Sequence, residues 1–203
     1  MRGIRLLLNG IALMVVGIVL TVVIAGELID NAQPGVDYST LTADTIKEGM
    51  IISGELPFNL GGYETVTREG DNGKQEVGTY YLICTDDYDF WGIYTADKAL
   101  LSKLERQATQ TVTFDDLKDV TPIEFKGKVT AMDDDDKRII REWTADFFEI
   151  DQADLADNVR IMDYYIKVVN TSGHPWILAL GILVIVIGAV FILLFVRRKL
   201  IGR

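Results

Sequence analysis

A chain of 203 residues carries 20 basic and 30 acidic side chains, a formal net charge of -10. That charge excludes nucleic acid as a partner, because phosphates repel an acidic surface. One cysteine (Cys84) and one histidine (His174) exclude an intrachain disulfide, a paired-cysteine metal site and a zinc site with two histidines.

Residues 1–5 hold Arg2 and Arg5, and residues 6–25 hold no charge. An apolar run of about 20 residues is about 30 Å long as a helix, the thickness of a bilayer's hydrocarbon core. It reads as a first transmembrane helix. Val23-Ile24-Ala25 also suits signal-peptide cleavage. The run exceeds the roughly 7–15 apolar residues of a signal core, which favours an uncleaved anchor. Asn9 lies one turn from Arg5 and reads as an interfacial amide.

Residues 26–48 contain Pro34-Gly35 and little periodicity, and read as a tether with one short helix. Residues 49–169 read as one domain. Met50–Leu56 is a short β-like run ended by Pro57, and Tyr63–Glu69 alternates as a strand does. Asp71-Asn72-Gly73 is a hairpin turn signal. Val77–Thr85 and Phe90–Thr95 are the next two strands. Ala96–Gln107 places Leu100, Leu101 and Leu104 on one helix face. Pro122–Met132 is a strand with Gly127 as a bulge or bend. Asp133–Glu149 is a helix on which Ile139, Trp143 and Phe147 recur, and Val159–Val169 is the last strand. The order β-β-β-β-α-β-α-β predicts an α+β fold with a curved antiparallel sheet. It also matches the strand order of an OB-type barrel, and both architectures stand.

Residues 170–175 are juxtamembrane and include the sequon Asn170-Thr171-Ser172 and His174. Residues 176–196 form the second uncharged span, with Trp176 at an aromatic-belt position. Residues 197–203 are a basic tail containing Arg197, Arg198 and Lys199. Basic residues beside spans stay cytoplasmic, so both termini are expected in the cytoplasm. The central domain is then extracytoplasmic, on a two-pass plasma-membrane protein.

Gly10 and Gly17 are seven apart, as are Gly181 and Gly188. Aligning the basic ends of an antiparallel pair sets Met14 opposite Gly188, Gly17 opposite Ile185, and Thr21 opposite Gly181. Small then faces large, which permits close packing. Gly17, Thr21 and Ala25 form an alternative ridge for a homodimer.

The run Asp133-Asp134-Asp135-Asp136-Lys137 reads first as a helix cap, because carboxylates satisfy the free N–H groups of a helix start. Weak cation binding is the alternative. Its spacing fails the EF-hand pattern. Cys84 lies in the apolar strand Tyr80–Cys84 and reads as core. No P-loop or GxGxxG appears, and no motif implies a cofactor or a metal. A carboxylate pair remains the one catalytic option, with nothing to single out two residues. Tyr88, Phe90 and Trp91 lie in a turn among carboxylates and form a candidate contact surface, or else pack alternately inward.

The architecture as a whole resembles uncharacterised two-span bacterial membrane proteins of unknown function. The resemblance implies no catalytic residues. The expectation is a membrane-anchored binding or assembly module without catalytic activity, whose partners are the bilayer and another protein. An extracytoplasmic ligand or cation sensor and a carboxylate-dependent hydrolase are the alternatives.

Overall fold

The computed structural model describes residues 2–70, 73–85, 87–114, 116–169 and 175–201. The chain divides into two compact units, residues 1–32 with 170–203, and residues 33–169. The sequon and His174 lie outside the described residues.

The first unit is a pair of helices, α1 (Arg2–Ala32) and α5 (Pro175–Ile201). Segments Leu7–Ala32 and Trp176–Arg197 are long and apolar enough to cross a membrane. The helices run antiparallel, with glycines buried in the seam. A Cβ on Gly188 would lie 2.7 Å from Met14 Cγ. On Gly17 it would lie 2.7 Å from Ile185 Cγ1, and on Gly181 2.7 Å from Thr21 Oγ1. The Thr21 hydroxyl donates to the Gly17 carbonyl at 2.7 Å, so its polar group is satisfied within α1. Gly17 and Thr21 thus face α5 of their own chain. Leu8, Val15, Val19, Val22, Leu183 and Leu193 turn outward and are exposed.

The second unit is built on a seven-stranded sheet. Its strands are β1 (Val36–Asp37), β2 (Ile51–Leu56), β3 (Gly61–Gly70), β4 (Gly73–Cys84), β5 (Phe90–Thr95), β6 (Ile123–Ala131) and β7 (Ile161–Val168). The order is β1-β2-β6-β7-β5-β4-β3. The expected purely antiparallel sheet is corrected to a mixed one. β5 pairs with β7 in parallel, as β1 does with β2. The connection from β5 to β7 carries α2 (Lys98–Thr113), β6, α3 (Asp134–Phe148) and α4 (Gln152–Asn158). A crossover of that length is what a parallel pair requires. β1 and β3 end the described order as edges, so the sheet is open there and not an OB-type barrel.

Alternate residues of the central strands enter two cores. Tyr81, Ile83, Trp91, Ile93 and Ile166 pack with Leu104 of α2, while Tyr80, Leu82, Phe90 and Tyr165 pack with Ile140 of α3. Burial on both faces explains why these strands read as continuous apolar runs. Beneath α2, the buried Asn59 and Gln107 side chains share one hydrogen bond and donate otherwise to backbone carbonyls. Asn59 Nδ2 donates to Gln107 Oε1 at 2.8 Å, and Gln107 Nε2 donates to the Leu56 carbonyl at 2.9 Å.

Three local expectations change. The stretch 26–48 is not a tether throughout. α1 continues to Ala32, and Tyr38, Leu41 and Ile46 are buried in the core. The Tyr38 ring stacks on Trp91, and its hydroxyl donates to the Cys84 carbonyl at 2.6 Å. Gly127 makes no bulge, since its neighbours pair in regular register on both sides. Glycine stands there because a Cβ would meet the Ile166 side chain. The segment after α3 holds the additional short helix α4.

Candidate functional site

Asp133 caps α3 by accepting the Asp136 N–H at 2.8 Å. The cap fixes the phase of the helix. Lys137 and Arg141, four residues apart, therefore share a face, and both reach Asp163 of β7 at 3.5 Å. After α3 the chain turns through Glu149, in the left-handed region at φ 54, and enters α4. Leu155 of α4 is buried, and Val159 and Ile161 carry the chain into β7. Between them, Arg160 lies 3.2 Å from Asp44 Oδ1 and 3.8 Å from Asp89 Oδ1. Asp89 is itself buried and accepts the Ala43 N–H at 3.3 Å.

These elements border an open cavity of about 410 Å³, lined by Arg141, Gln152, Leu155, Val159, Arg160 and Ile161. Its size falls within the range of small-ligand sites, and its walls combine apolar side chains with a few polar ones. Each guanidinium has five N–H donors, so its ion pairs leave donors over for a further acceptor. An adjoining hollow of about 310 Å³ shares Arg141 and Gln152 and adds Lys137 and Arg138, with Asp134 and Glu142 opposing them. Guanidinium forks beside apolar walls suit an anion that carries an apolar body.

A family model described as "Domain of unknown function (DUF8577)" matches residues 4–198. The chain belongs to that family. No curated protein and no solved structure matches the chain. The family match runs from α1 through the sheet to α5, so both units belong to it.

Several site residues of this family member sit elsewhere than the sequence suggests. Phe90 and Trp91 are buried and cannot form a contact surface. β5 is central in the sheet, so its successive side chains enter the two cores. Tyr88 alone of the three is exposed, at 71 %, with φ 61. Arg5, Trp176, Arg197 and Lys199 are exposed on α1 and α5, and Arg2 and Arg198 lie on the same helices. Among the described residues, no group of three His, Cys, Asp or Glu is placed to hold a metal ion. Arg141, Gln152 and Arg160 are absent from the sequence reading. Lys137 and Arg141 carry the helical spacing that could have flagged them, but nothing in the sequence links Arg160 to Asp44 or Asp89.

A second polar cluster lies at the root of β3. The ring centroids of Tyr63 and Tyr80 are 5.6 Å apart, and those of Tyr80 and Tyr165 5.2 Å. Burial raises all three phenols above their ordinary pKa. Burial also raises the Glu64 carboxyl, and Asp136, Asp133 and Asp135 add repulsion. Tyr63 Oη and Glu64 Oε2 are enclosed without a hydrogen-bond partner. Neither Glu64 nor Asp136 lines the arginine cavity.

Proposed function

We propose that this protein is a non-enzymatic binding module, held in a bacterial plasma membrane by α1 and α5, with its sheet domain outside the cytoplasm. The ligand is a small anion with an apolar body. The cavity bearing Arg141 and Arg160 against Leu155, Val159 and Ile161 carries this reading. The outward-facing apolar side chains of both helices support the membrane anchor. Arg2, Arg5, Arg197, Arg198 and Lys199 support cytoplasmic termini. The family match includes α1, which supports an anchor that stays on the mature protein.

Calorimetric titration of the full-length protein in detergent with benzoate, phenyl phosphate and neutral benzyl alcohol tests the reading. At least one anion binds and the alcohol does not. Arg141→Met leaves Asp163 paired with Lys137 and weakens anion binding by about 10-fold or more, the loss of one charge-assisted contact. Absence of binding by either anion at millimolar concentration rejects the proposal.

A further inference from the structure

β3 is a ten-residue strand at the end of the sheet. Its outer half and the paired half of β4 are largely exposed on both faces, so a two-stranded ribbon extends beyond the packed domain. A ribbon of two strands is marginal alone, and an open edge of this length presents unpaired N–H and C=O groups.

The residues along that edge complement their own reversed copy. Antiparallel pairing centred on Val66 sets Glu64 opposite Arg68, Thr65 opposite Thr67, and Val66 opposite itself. The pairing also matches the hydrogen-bond phase. The Leu82 carbonyl accepts the Leu60 N–H at 2.9 Å, so Leu82, Tyr80 and Gly78 of β4 turn their backbone groups to β3. Their partners Glu64 and Val66 therefore bond toward β4; the register shift between Val66 and Thr67 leaves the extra residue, Val77, on β4, so β3 keeps its own alternation and Thr65 and Thr67 turn their backbone groups to the open edge. In the reversed copy Thr65 then meets Thr67 as a hydrogen-bonded pair. Val66–Val66 and Glu64–Arg68 become the pairs whose side chains approach more closely.

The faces agree as well. Glu64 pairs with Tyr80, and Val66 packs in the same core cluster as Tyr80, so Glu64, Val66 and Arg68 share the face that α3 covers. Glu64 Oε2 is enclosed with no partner, among the carboxylates of Asp133, Asp135 and Asp136. Arg68 is exposed and makes no ion pair among the described residues. Among the described residues, a carboxylate oxygen without a hydrogen-bond partner and a guanidinium without an ion pair thus lie four residues apart on one edge.

We propose that β3 docks the β3 of a second copy of this chain, antiparallel about a two-fold axis at Val66, with Glu64 opposite the partner's Arg68. Two such ion pairs flank the Val66 contact, and the two sheets join into one. The contact is isologous and closes on itself. It does not depend on the anion-binding reading.

Disulfide crosslinking of the full-length chain in membranes tests it, on a Cys84→Ser background. Val66→Cys crosslinks to a dimer, because a non-hydrogen-bonded antiparallel pair brings its Cα atoms to about 4.5 Å, within disulfide range. Glu76→Cys on β4 does not. Glu64→Lys or Arg68→Glu each lowers the association constant by about tenfold, since two attractive pairs become repulsive. The double variant Glu64→Lys/Arg68→Glu restores it, which a folding defect would not allow. Arg141→Met leaves the crosslink unchanged, which separates this test from the anion reading. No crosslink at Val66, a crosslink indifferent to charge reversal, or failure of the double variant to recover overturns the proposal. So does a dimer captured at Ala25 and not at Val66.

Discussion

Asp136 shows how position and environment compete at one residue. It lies in the first turn of α3, where the helix dipole favours a negative charge. Burial opposes the ionised form, and Asp133 and Asp135 repel it, so its pKa stands above the ordinary 3.8. The folded state therefore holds this proton to a higher pH than the unfolded chain does. The stabilisation linked to it is full below the unfolded value and is lost as pH rises through the folded value. Asp136→Asn accordingly raises the melting temperature at pH 7. The gain shrinks as pH falls toward 3, where both side chains are neutral. Thermal denaturation of both proteins from pH 3 to 7 checks the sign, and a gain that grew on acidification would contradict it. The N-terminal cap survives this change, because Asp133 accepts from the backbone N–H of residue 136.

At the scale of elements, the helix pair α1–α5 and the strands of the sheet domain use different forces. Between apolar helices in a bilayer, close packing replaces the hydrophobic effect as the driving force. The seam depends on the absence of side chains at Gly10, Gly17, Gly181 and Gly188, where any Cβ would meet a neighbour at 2.9 Å or less. Gly188→Leu drives its side chain into Met14 and the Gly10 carbonyl and separates the helices. Cysteines at Met14 and Ile185, which line the seam and already carry side chains, crosslink within one chain on a Cys84→Ser background. Adding Gly181→Leu to that pair removes the crosslink. Crosslinks only between chains would contradict an intrachain pair. In the sheet domain the central strands are instead held by two-sided burial. Trp91 is fully enclosed between Tyr38 and the strands, although its indole Nε1 has no partner. The stacking contact with Tyr38 ties residues 36–48 to the core.

For the whole molecule, the proposed orientation has a direct readout. A cysteine at Gly73, on a Cys84→Ser background, reacts with an impermeant maleimide in intact cells. A cysteine appended after Arg203 reacts only after permeabilisation. The reverse pattern would invert the protein and place the arginine cavity in the cytoplasm. The cavity and the β3 edge also differ in what created them. The cavity joins residues from α3, α4 and β7, with Asp44 and Asp89 anchoring Arg160. The edge is one contiguous strand, and its complementarity is written in five consecutive residues.

Local chemistry made much of this molecule legible in its sequence. Two long uncharged runs mark the apolar helices, because length and polarity alone decide whether a segment can span a bilayer. Alternation and turn residues mark the strands of the meander, and periodic Ile139, Trp143 and Phe147 with the acidic run mark α3. Glycines seven apart mark one helix face. Tertiary structure decided what depends on distant partners. The parallel pairing of β5 with β7 follows from where a long crossover returns, which no local pattern encodes. Phe90 and Trp91 are core residues because their strand lies in the middle of the sheet, and a turn sequence rich in carboxylates gives no sign of that. Residues 36–48 look unstructured because their contacts are with Trp91 and Phe125, far along the chain. Arg141 and Arg160 become one cavity only when α3, α4 and β7 meet, since ion pairs to Asp163, Asp44 and Asp89 span separations that spacing rules do not reach.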